Sequence, residues 1–553
     1  MARGSIVPMP FLRTSWIPLL IGGLTLLALI VTDPHYGYAI DEASYLWVAR
    51  EERDWFSKLP ERPLSESFSA EGLASGWHFL EPPRGDASTH SNFNLPLSMH
   101  LINLGWLAGH FFADELSASR LAPMLLFAWT VTMVCHQMTR SMSLAAGMFA
   151  AIALALMPRI FGHAHLAATE TILSCFWTLT ILALLRMQSA SGVSDGERSA
   201  EASSRAVQWA GIRVAVLLSL TMSVKLSGWF LAPAVGLWLV LFRPRGWITA
   251  LVGSILLPIP MIILLTPTLW HDPVGGLQRY LSLVLDNPWS IGTYFLGEGY
   301  SGRLPGWSGP LLLAITTPIT LLLLALWGII RGMRDSRLWA VLLPTASLIA
   351  AWMLGYLPTH DGERHLTPAA YGIALLAGIG FGFFVSQRAT SKDSSSSWTS
   401  ALLAVLLLAE PVYATWIYRD HGLLYYNGFV GGFPGAKEWG FETNYWLETI
   451  TDDDWHALLD DLPPNATVFL RPDHPGMADL KQWGVWRSDI NAAGPEANYY
   501  ILSAKRAAYL VPDPQSGKLV NTDLSVRADS GPMEKEIRFL GVRLVGRTRH
   551  AGR

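Results

Sequence analysis

Apolar runs long enough to cross a bilayer recur along this chain, near residues 14–32, 118–138, 143–159, 171–188, 207–224, 227–242, 247–266, 308–330, 338–357, 366–386 and 399–418. Backbone polar groups in lipid must be satisfied within their own segment, so such runs are helices. The expected fold class is therefore an α-helical polytopic membrane protein with about eleven transmembrane helices. Composition agrees, since 51% of the 553 residues are hydrophobic and only 15% are charged, too apolar for an ordinary soluble protein. The windows at 207–224 and 227–242 meet near Lys225, and their joint length is far beyond one crossing, so they count as two.

Basic residues set the orientation. Arg3 and Arg13, Arg140, Arg186 with Arg198 and Arg205, Arg243 with Arg245, Arg331 with Arg334 and Arg337, and Arg388 with Lys392 share one side if the N-terminus is cytoplasmic. The first span then reads as a retained signal anchor. The long connections at 33–117 and 267–307 and everything after 419 fall on the opposite face, where chemistry is to be sought. Within the first of them, Asn92–Gly109 is interrupted by polar residues and reads as an interfacial helix. The Ser-rich stretches 189–204 and 391–397 read as linkers. From Asp420 the chain turns polar. Strands near 464–470 and 498–502 and a helix over Asp452–Leu462 predict a small extracytoplasmic α/β domain. The expected division is a membrane domain over 1–419 and this domain over 420–553. A net charge of -3 without a basic stripe argues against a nucleic-acid partner, and Cys135 and Cys175, both in apolar windows, read as buried thiols.

Candidate chemistry gathers at the outer ends of the spans. Asp41 and Glu42 follow the first span at the head of a short amphipathic helix, where ionised groups escape hydrocarbon. Charges just outside a span can be merely solvated, but more functional groups emerge at the same level. The third span ends in Met157-Pro-Arg-Ile-Phe-Gly-His-Ala-His and the fourth opens at Glu170, which brings Arg159, His163, His165 and Glu170 there. Two imidazoles and a carboxylate suit a divalent metal, while His-x-His is equally an interfacial hydrogen-bonding pattern. Glu170 is a helix cap or a second acid facing Asp41. Lys225 between two short spans, and Arg364 and His365 before the tenth, supply cations that either snorkel to lipid phosphates or bind a substrate phosphate. Trp270-His271-Asp272, with Arg279 behind it, lies in a loop that could cover the site.

Taken in order, the acidic pair in its Asp-Glu-aromatic-Ala-Arg setting, the outer acid of the fourth span, the Lys-x-x-Gly between short spans and the Arg-His-Leu-x-Pro before a late span resemble the GT-C glycosyltransferases. Among these the chain is most similar to the dolichyl-phosphate-mannose protein mannosyltransferase family and its bacterial relatives, which include the aminoarabinose transferases of lipid A. The segment from Leu423 to Ala436 also resembles one that follows the last span of bacterial members. The resemblance covers roughly residues 14–420. It departs in carrying Glu170 where many relatives have Asp, and in lacking the sugar-binding repeat domain of the eukaryotic members, which favours a bacterial inner-membrane enzyme.

The resemblance implies a polyprenyl-phosphate-linked sugar as donor, a protein, lipid or glycan hydroxyl as acceptor, and inversion at the anomeric carbon. It makes Asp41 the base, with Glu42 and Glu170 beside it and Lys225, Arg364, His365 and Arg159 around the phosphate. No cofactor is firmly expected, a divalent ion on His163, His165 and Glu170 being the alternative. Physical chemistry fits this division, because phosphate departs as an anion without a general acid. The rival class is a transporter or flippase, supported by the broken helices around Lys225. Against it stands the collection of ionisable groups on one face, since alternating access works through groups near the midplane. A silent scaffold would leave the membrane-face cluster unexplained.

Overall fold

The computed structural model describes residues 16–74, 96–111, 113–191, 200–285, 291–389, 396–513 and 518–550. Six helices among these are long and apolar enough to cross a membrane, with bounds Trp16–His35, Glu115–Ser141, Thr169–Ser189, Ser336–Met353, Arg364–Gln387 and Trp398–Ile417. Three further pairs qualify only when joined across a bend, which gives up to nine. The expected eleven is thus not reached by length and composition. Of the two windows left over, one is a helix, Ala200–Met222, diluted by Glu201, Arg205 and Arg213, and the other is a shorter apolar helix ending at Phe242.

Helices that bear on the site are α1 (Trp16–Thr32), α2 (Ile40–Lys58), α3 (Leu97–Gly109), α4 (Glu115–Ser141), α5 (Leu144–Ala155), α6 (Pro158–His165) and α7 (Thr169–Ser191). They are followed by α8 (Ala200–Met222), α9 (Leu231–Phe242), α10 (Trp247–Leu256), α11 (Pro258–Leu265), α12 (Ser308–Thr316), α13 (Ile319–Gly332), α14 (Ser336–Met353), α15 (Thr367–Ala389) and α16 (Ser396–Ile417). A proline sits at each bend. Pro158 opens α6 after a 63° turn from α5, Pro258 opens α11 after 44°, and Pro318 precedes α13 after 117°. Without an N–H and with its ring against the preceding turn, proline ends a helix there.

The sharpest bend frees backbone groups that distant residues satisfy. Both oxygens of Glu410, on α16, accept the N–H groups of Ile319 and Thr320 at 2.8 Å. Asn427 donates its amide to the carbonyls of Ala314 and Thr317 at 2.7 Å each. Backbone groups freed by such a bend and kept from water need partners of this kind.

Outside the bundle the described residues form nine strands: β1 (Gly292–Phe295), β2 (Glu298–Ser301), β3 (Thr467–Arg471), β4 (Asn491–Ala492), β5 (Tyr499–Ser503), β6 (Leu510–Pro512), β7 (Leu519–Asn521), β8 (Lys535–Phe539) and β9 (Val542–Arg549). One sheet has the order β4-β3-β5-β9-β8, with β3 parallel to β4 and β5 and the other pairs antiparallel. The second, β1-β2-β7-β6, unites a hairpin from the 267–307 connection with strands beyond residue 509. The outer body is therefore built from both sides of residue 419. Its core takes in α2 as well, because Ala39, Leu46 and Ala49 share one apolar cluster with Trp446, Trp455, Val468 and Ile501. The amphipathic face of α2, expected along the membrane surface, is largely taken up by protein. Cys135 and Cys175 are free and buried, as expected.

Glu410→Ala should strand the Ile319 and Thr320 amides and cost about 2 kcal/mol. Thermal unfolding of the purified protein in detergent should show a midpoint lowered by about 2 °C; an unchanged midpoint would mean that the bend holds without this cap.

Candidate active site

The turn from α1 into α2 is fixed by one buried guanidinium. Arg120, near the start of α4, donates to the two oxygens of Glu42 at 2.8 and 2.6 Å, to the carbonyls of Tyr36 and Gly37 at 3.0 and 2.7 Å, and to Asp33 at 3.3 Å. Glu42 also accepts from its own capping amide, Ala39, at 3.1 Å and from Ala167 at 2.8 Å. It is fully buried. Glu42 therefore ties α2 to α4 and to the link between α6 and α7. From outside, the carbonyl of Trp446 accepts Ile40 N and that of Glu448 accepts Gly37 N, both at 2.8 Å. Asp41, one position before Glu42 and so about 100° around the helix, is thereby turned toward another element.

That element is the loop His360-Asp361-Gly362-Glu363-Arg364-His365 between α14 and α15. Arg364 Nη1 contacts the Asp41 carboxylate. Its Nη2 reaches His360 Nε2 at 2.8 Å and Asp361 at 3.3 Å, its Nε donates to His365 Nε2 at 3.3 Å, and its plane lies 4.9 Å from the Trp446 ring. The loop turns through left-handed backbone at Asp361 (φ 56°) and Gly362 (φ 66°). Glycine is required at 362 for a second reason, since a Cβ there would meet the Tyr445 ring at 2.8 Å. Arg159 holds the loop's centre, donating to Glu363 at 2.7 and 3.0 Å and to the Tyr425 carbonyl at 2.8 Å. Asp361 is gripped from the other side by Lys505 Nζ at 3.2 Å. Burial alone would raise the Asp361 carboxyl, but Lys505 and then Arg364 and His360 outweigh it and hold it below the ordinary range.

A second ion pair stands beside the first. Lys225, in the turn before α9, donates to Glu170 at 2.7 Å and to Thr169 Oγ1 at 3.2 Å, and all three are buried. Glu170 also feels the charge of Arg364. Tyr45, one helical turn beyond Asp41, lies within reach of both acids: burial, then the carboxylates of Glu170 and Asp41, keep its phenol well above its ordinary value. Asp41, Glu170, Lys225, Arg364 and His365 are thus brought together from four parts of the chain.

Other expected residues have different company. His163 packs edge-on against Trp446 at 5.5 Å. His165 turns away: its ring nitrogens meet Thr32 Oγ1 and the Phe161 carbonyl, each at 2.8 Å, and the ring stacks on Tyr36 at 4.0 Å. His163, His165 and Glu170 therefore do not converge as one ligand set, and among the described residues no group of three or more His, Cys, Asp or Glu is arranged to hold a metal. Trp270 stacks on Phe68, while Asp272 and Arg279 form an exposed pair at 3.3 Å. Arg120, Asp361, Glu363, Trp446 and Lys505 are the site residues that sequence reasoning missed. Asp361 and Glu363 shortly precede the Arg364-His365 pair, whereas Lys505 carries no local signal.

No family model matches the chain, and no curated protein matches it. Solved structures of similar shape include ArnT from Cupriavidus metallidurans bound to undecaprenyl phosphate, at 14% identity over 97% of this chain and 98% of that one, with a TM-score of 0.47. The oligosaccharyltransferase AglB from Archaeoglobus fulgidus, in complex with an inhibitory peptide and a dolichol-phosphate, shares 11% identity over 97% of this chain and 77% of its own, with a TM-score of 0.47. The mycobacterial arabinofuranosyltransferase AftD shares 15% identity over 98% of this chain and 42% of its own, with a TM-score of 0.42. At these values the likenesses carry no argument about chemistry.

Arg120→Met should leave Glu42 and Asp33 buried without their cation, a loss of about 3–5 kcal/mol. The unfolding midpoint of the purified variant should drop far more than that of an exposed change such as Arg279→Met, and equal midpoints would remove Arg120 as the anchor of this turn.

Proposed function

We propose that this multi-span protein is a membrane glycosyltransferase that moves a sugar from a polyprenyl-phosphate donor to an acceptor hydroxyl, in a bacterial plasma membrane with its site on the extracytoplasmic face. The observation that carries the proposal is the meeting of Asp41, Glu170, Lys225 and Arg364 at one end of the spans. A base for a hydroxyl, and cations for a departing phosphate, are the two requirements of this reaction. The order of motifs resembling the GT-C enzymes supports the same assignment. A transporter is less well served, because its polar groups belong near the midplane, whereas these lie at helix ends.

In this reading the acceptor hydroxyl gives its proton to Asp41 as its oxygen attacks the anomeric carbon. The bond from that carbon to the phosphate oxygen breaks on the opposite side, which inverts the centre and releases polyprenyl phosphate. Its charge is taken up by Arg364 and Lys225, the first a fork and the second a point charge. Glu170 orients Lys225, and His365, accepting from Arg364 Nε, orients the fork. Glu42 and Arg159 are positioning residues, one holding the α2 turn and the other the 360–365 loop. Residues 1–419 would then supply the membrane catalytic part and 420–553 most of the outer part, to which β1, β2 and α2 also contribute.

Asp41→Asn should leave the protein folded and lower turnover about a hundredfold or more, measured as polyprenyl phosphate released from a panel of polyprenyl-phosphate sugars. Turnover near the parent's would rule out Asp41 as base. Arg364→Ala should impair donor use more than Arg364→Lys, which keeps the charge and loses the fork. Equal and negligible losses in a saturation series would detach Arg364 from the phosphate.

A further inference from the structure

Lys505, just past the end of β5, reaches the site loop from the outer body. Its backbone is pinned on both sides. Ala504 N donates to Leu544 O at 2.8 Å and Lys505 N to Ser503 Oγ at 3.0 Å, while the next two amides, Arg506 and Ala507, donate to the carboxyl of Glu442 at 2.8 Å each. Burial pushes that carboxyl up to about 7, although the N–H groups of Ala507, Arg506 and Thr443 draw it the other way. The Lys505 side chain is fixed at its far end too, by the Tyr445 carbonyl and by Asp361 Oδ1 at 3.2 Å, and is only 15% exposed. Holding a long, flexible lysine in one rotamer carries an entropic cost. A bond that only docked two bodies would gain little from such precision.

The other oxygen of Asp361 accepts from Trp446 Nε1 at 3.3 Å and faces Arg364 Nη2 at 3.3 Å. Arg364 in turn contacts Asp41. A continuous line of charge therefore runs from Lys505 through Asp361 and Arg364 to Asp41, with the Trp446 ring packed against the guanidinium. Since Asp361 occupies a left-handed conformation, which Asp tolerates at some cost, its carboxylate is aimed by the cations around it.

We propose that Lys505 is a positioning residue for the reaction, acting through Asp361 to hold the Arg364 fork in register with Asp41, so that the outer body completes a site whose reacting groups all belong to the membrane part. This rests on the function proposed above. Sharing the Asp361 charge, Lys505 keeps that carboxylate from drawing Arg364 wholly onto itself, which leaves Nη1 directed at Asp41. Catalysis is sensitive to errors of about 1 Å in such groups.

The test uses the full-length protein in lipid nanodiscs, with Lys505→Met, Lys505→Arg, Asp361→Asn and the Lys505→Met/Asp361→Asn double variant. Lys505→Met should lower kcat/KM about tenfold in a protein that still unfolds cooperatively, at a lowered midpoint, since Asp361 keeps Arg364 as a partner, and Lys505→Arg should recover most of the loss in kcat/KM. The double variant should be no worse than Asp361→Asn alone, because a residue acting through another adds nothing once the other is gone. Unchanged kcat/KM in Lys505→Met, or fully additive losses, would overturn the proposal. A failure of the parent to turn over any polyprenyl-phosphate sugar would instead strike the proposed function. The line of contact is then judged by the Trp446 indole N–H resonance, assigned by Trp446→Phe: Lys505→Met should shift it if Asp361 is aimed by Lys505, and an unmoved resonance would overturn that.

Discussion

Burying charge is tolerated only where every charge has its partners, and this constraint organises the structure. Arg120 is its clearest case. Five donors of one guanidinium are spent on two carboxylates and two carbonyls of the α1–α2 turn, and α2 can only start where those acceptors meet. The same rule repeats outward. Arg159 takes Glu363, Lys225 takes Glu170, Arg364 takes Asp41, and Lys505 takes Asp361. Each pair joins elements distant in sequence, so the set of buried pairs doubles as the set of staples that shapes the site. Removing one partner leaves an uncompensated charge, and the constraint passes to its neighbours.

How far the sequence discloses this differs from residue to residue. Alternation of spans and the basic loops put Asp41, Glu170, Lys225 and Arg364 at the same ends of their helices, and the structure brings Arg364 to Asp41 across 323 residues. What patterning could not show is that two of the groups expected around a phosphate, Lys225 and Arg364, are held by the acids Glu170 and Asp41. Pairing depends on the angular position of α2, and that is set by Arg120, which reads as part of the head of an apolar window. The breaks at Pro158, Pro258 and Pro318 were visible as prolines, yet a proline inside an apolar run is compatible with a kinked span. Only tertiary contacts such as Glu410 with Ile319 and Thr320 decide for a sharp turn.

Outside the bundle the same division holds. Strands β3 and β5 are legible because Thr467–Arg471 and Tyr499–Ser503 are rich in β-branched and aromatic residues. The sheet that joins β1 and β2 to β6 and β7 is not, since Gly299 meets Leu519 through a pairing that no local pattern encodes. A boundary drawn at residue 419 by composition therefore divides an outer body that hydrogen bonds hold together. Lys505 belongs to the same class of illegible residue. Nothing near it in sequence refers to Asp361, and its significance appears only when β5 ends beside the 360–365 loop.

The contact between Asp41 and Arg364 also bears on the function proposed for the two residues. Under that proposal a donor phosphate would compete with the Asp41 carboxylate for the same fork through charge-assisted hydrogen bonds. The fork is not equally held at both ends. Nη2 lies 2.8 Å from His360 Nε2 and 3.3 Å from Asp361, so Nη1 is the end that could be exchanged between carboxylate and phosphate. Asp361 would limit how far the fork swings, and Lys505, 3.2 Å behind it, holds Asp361 in place.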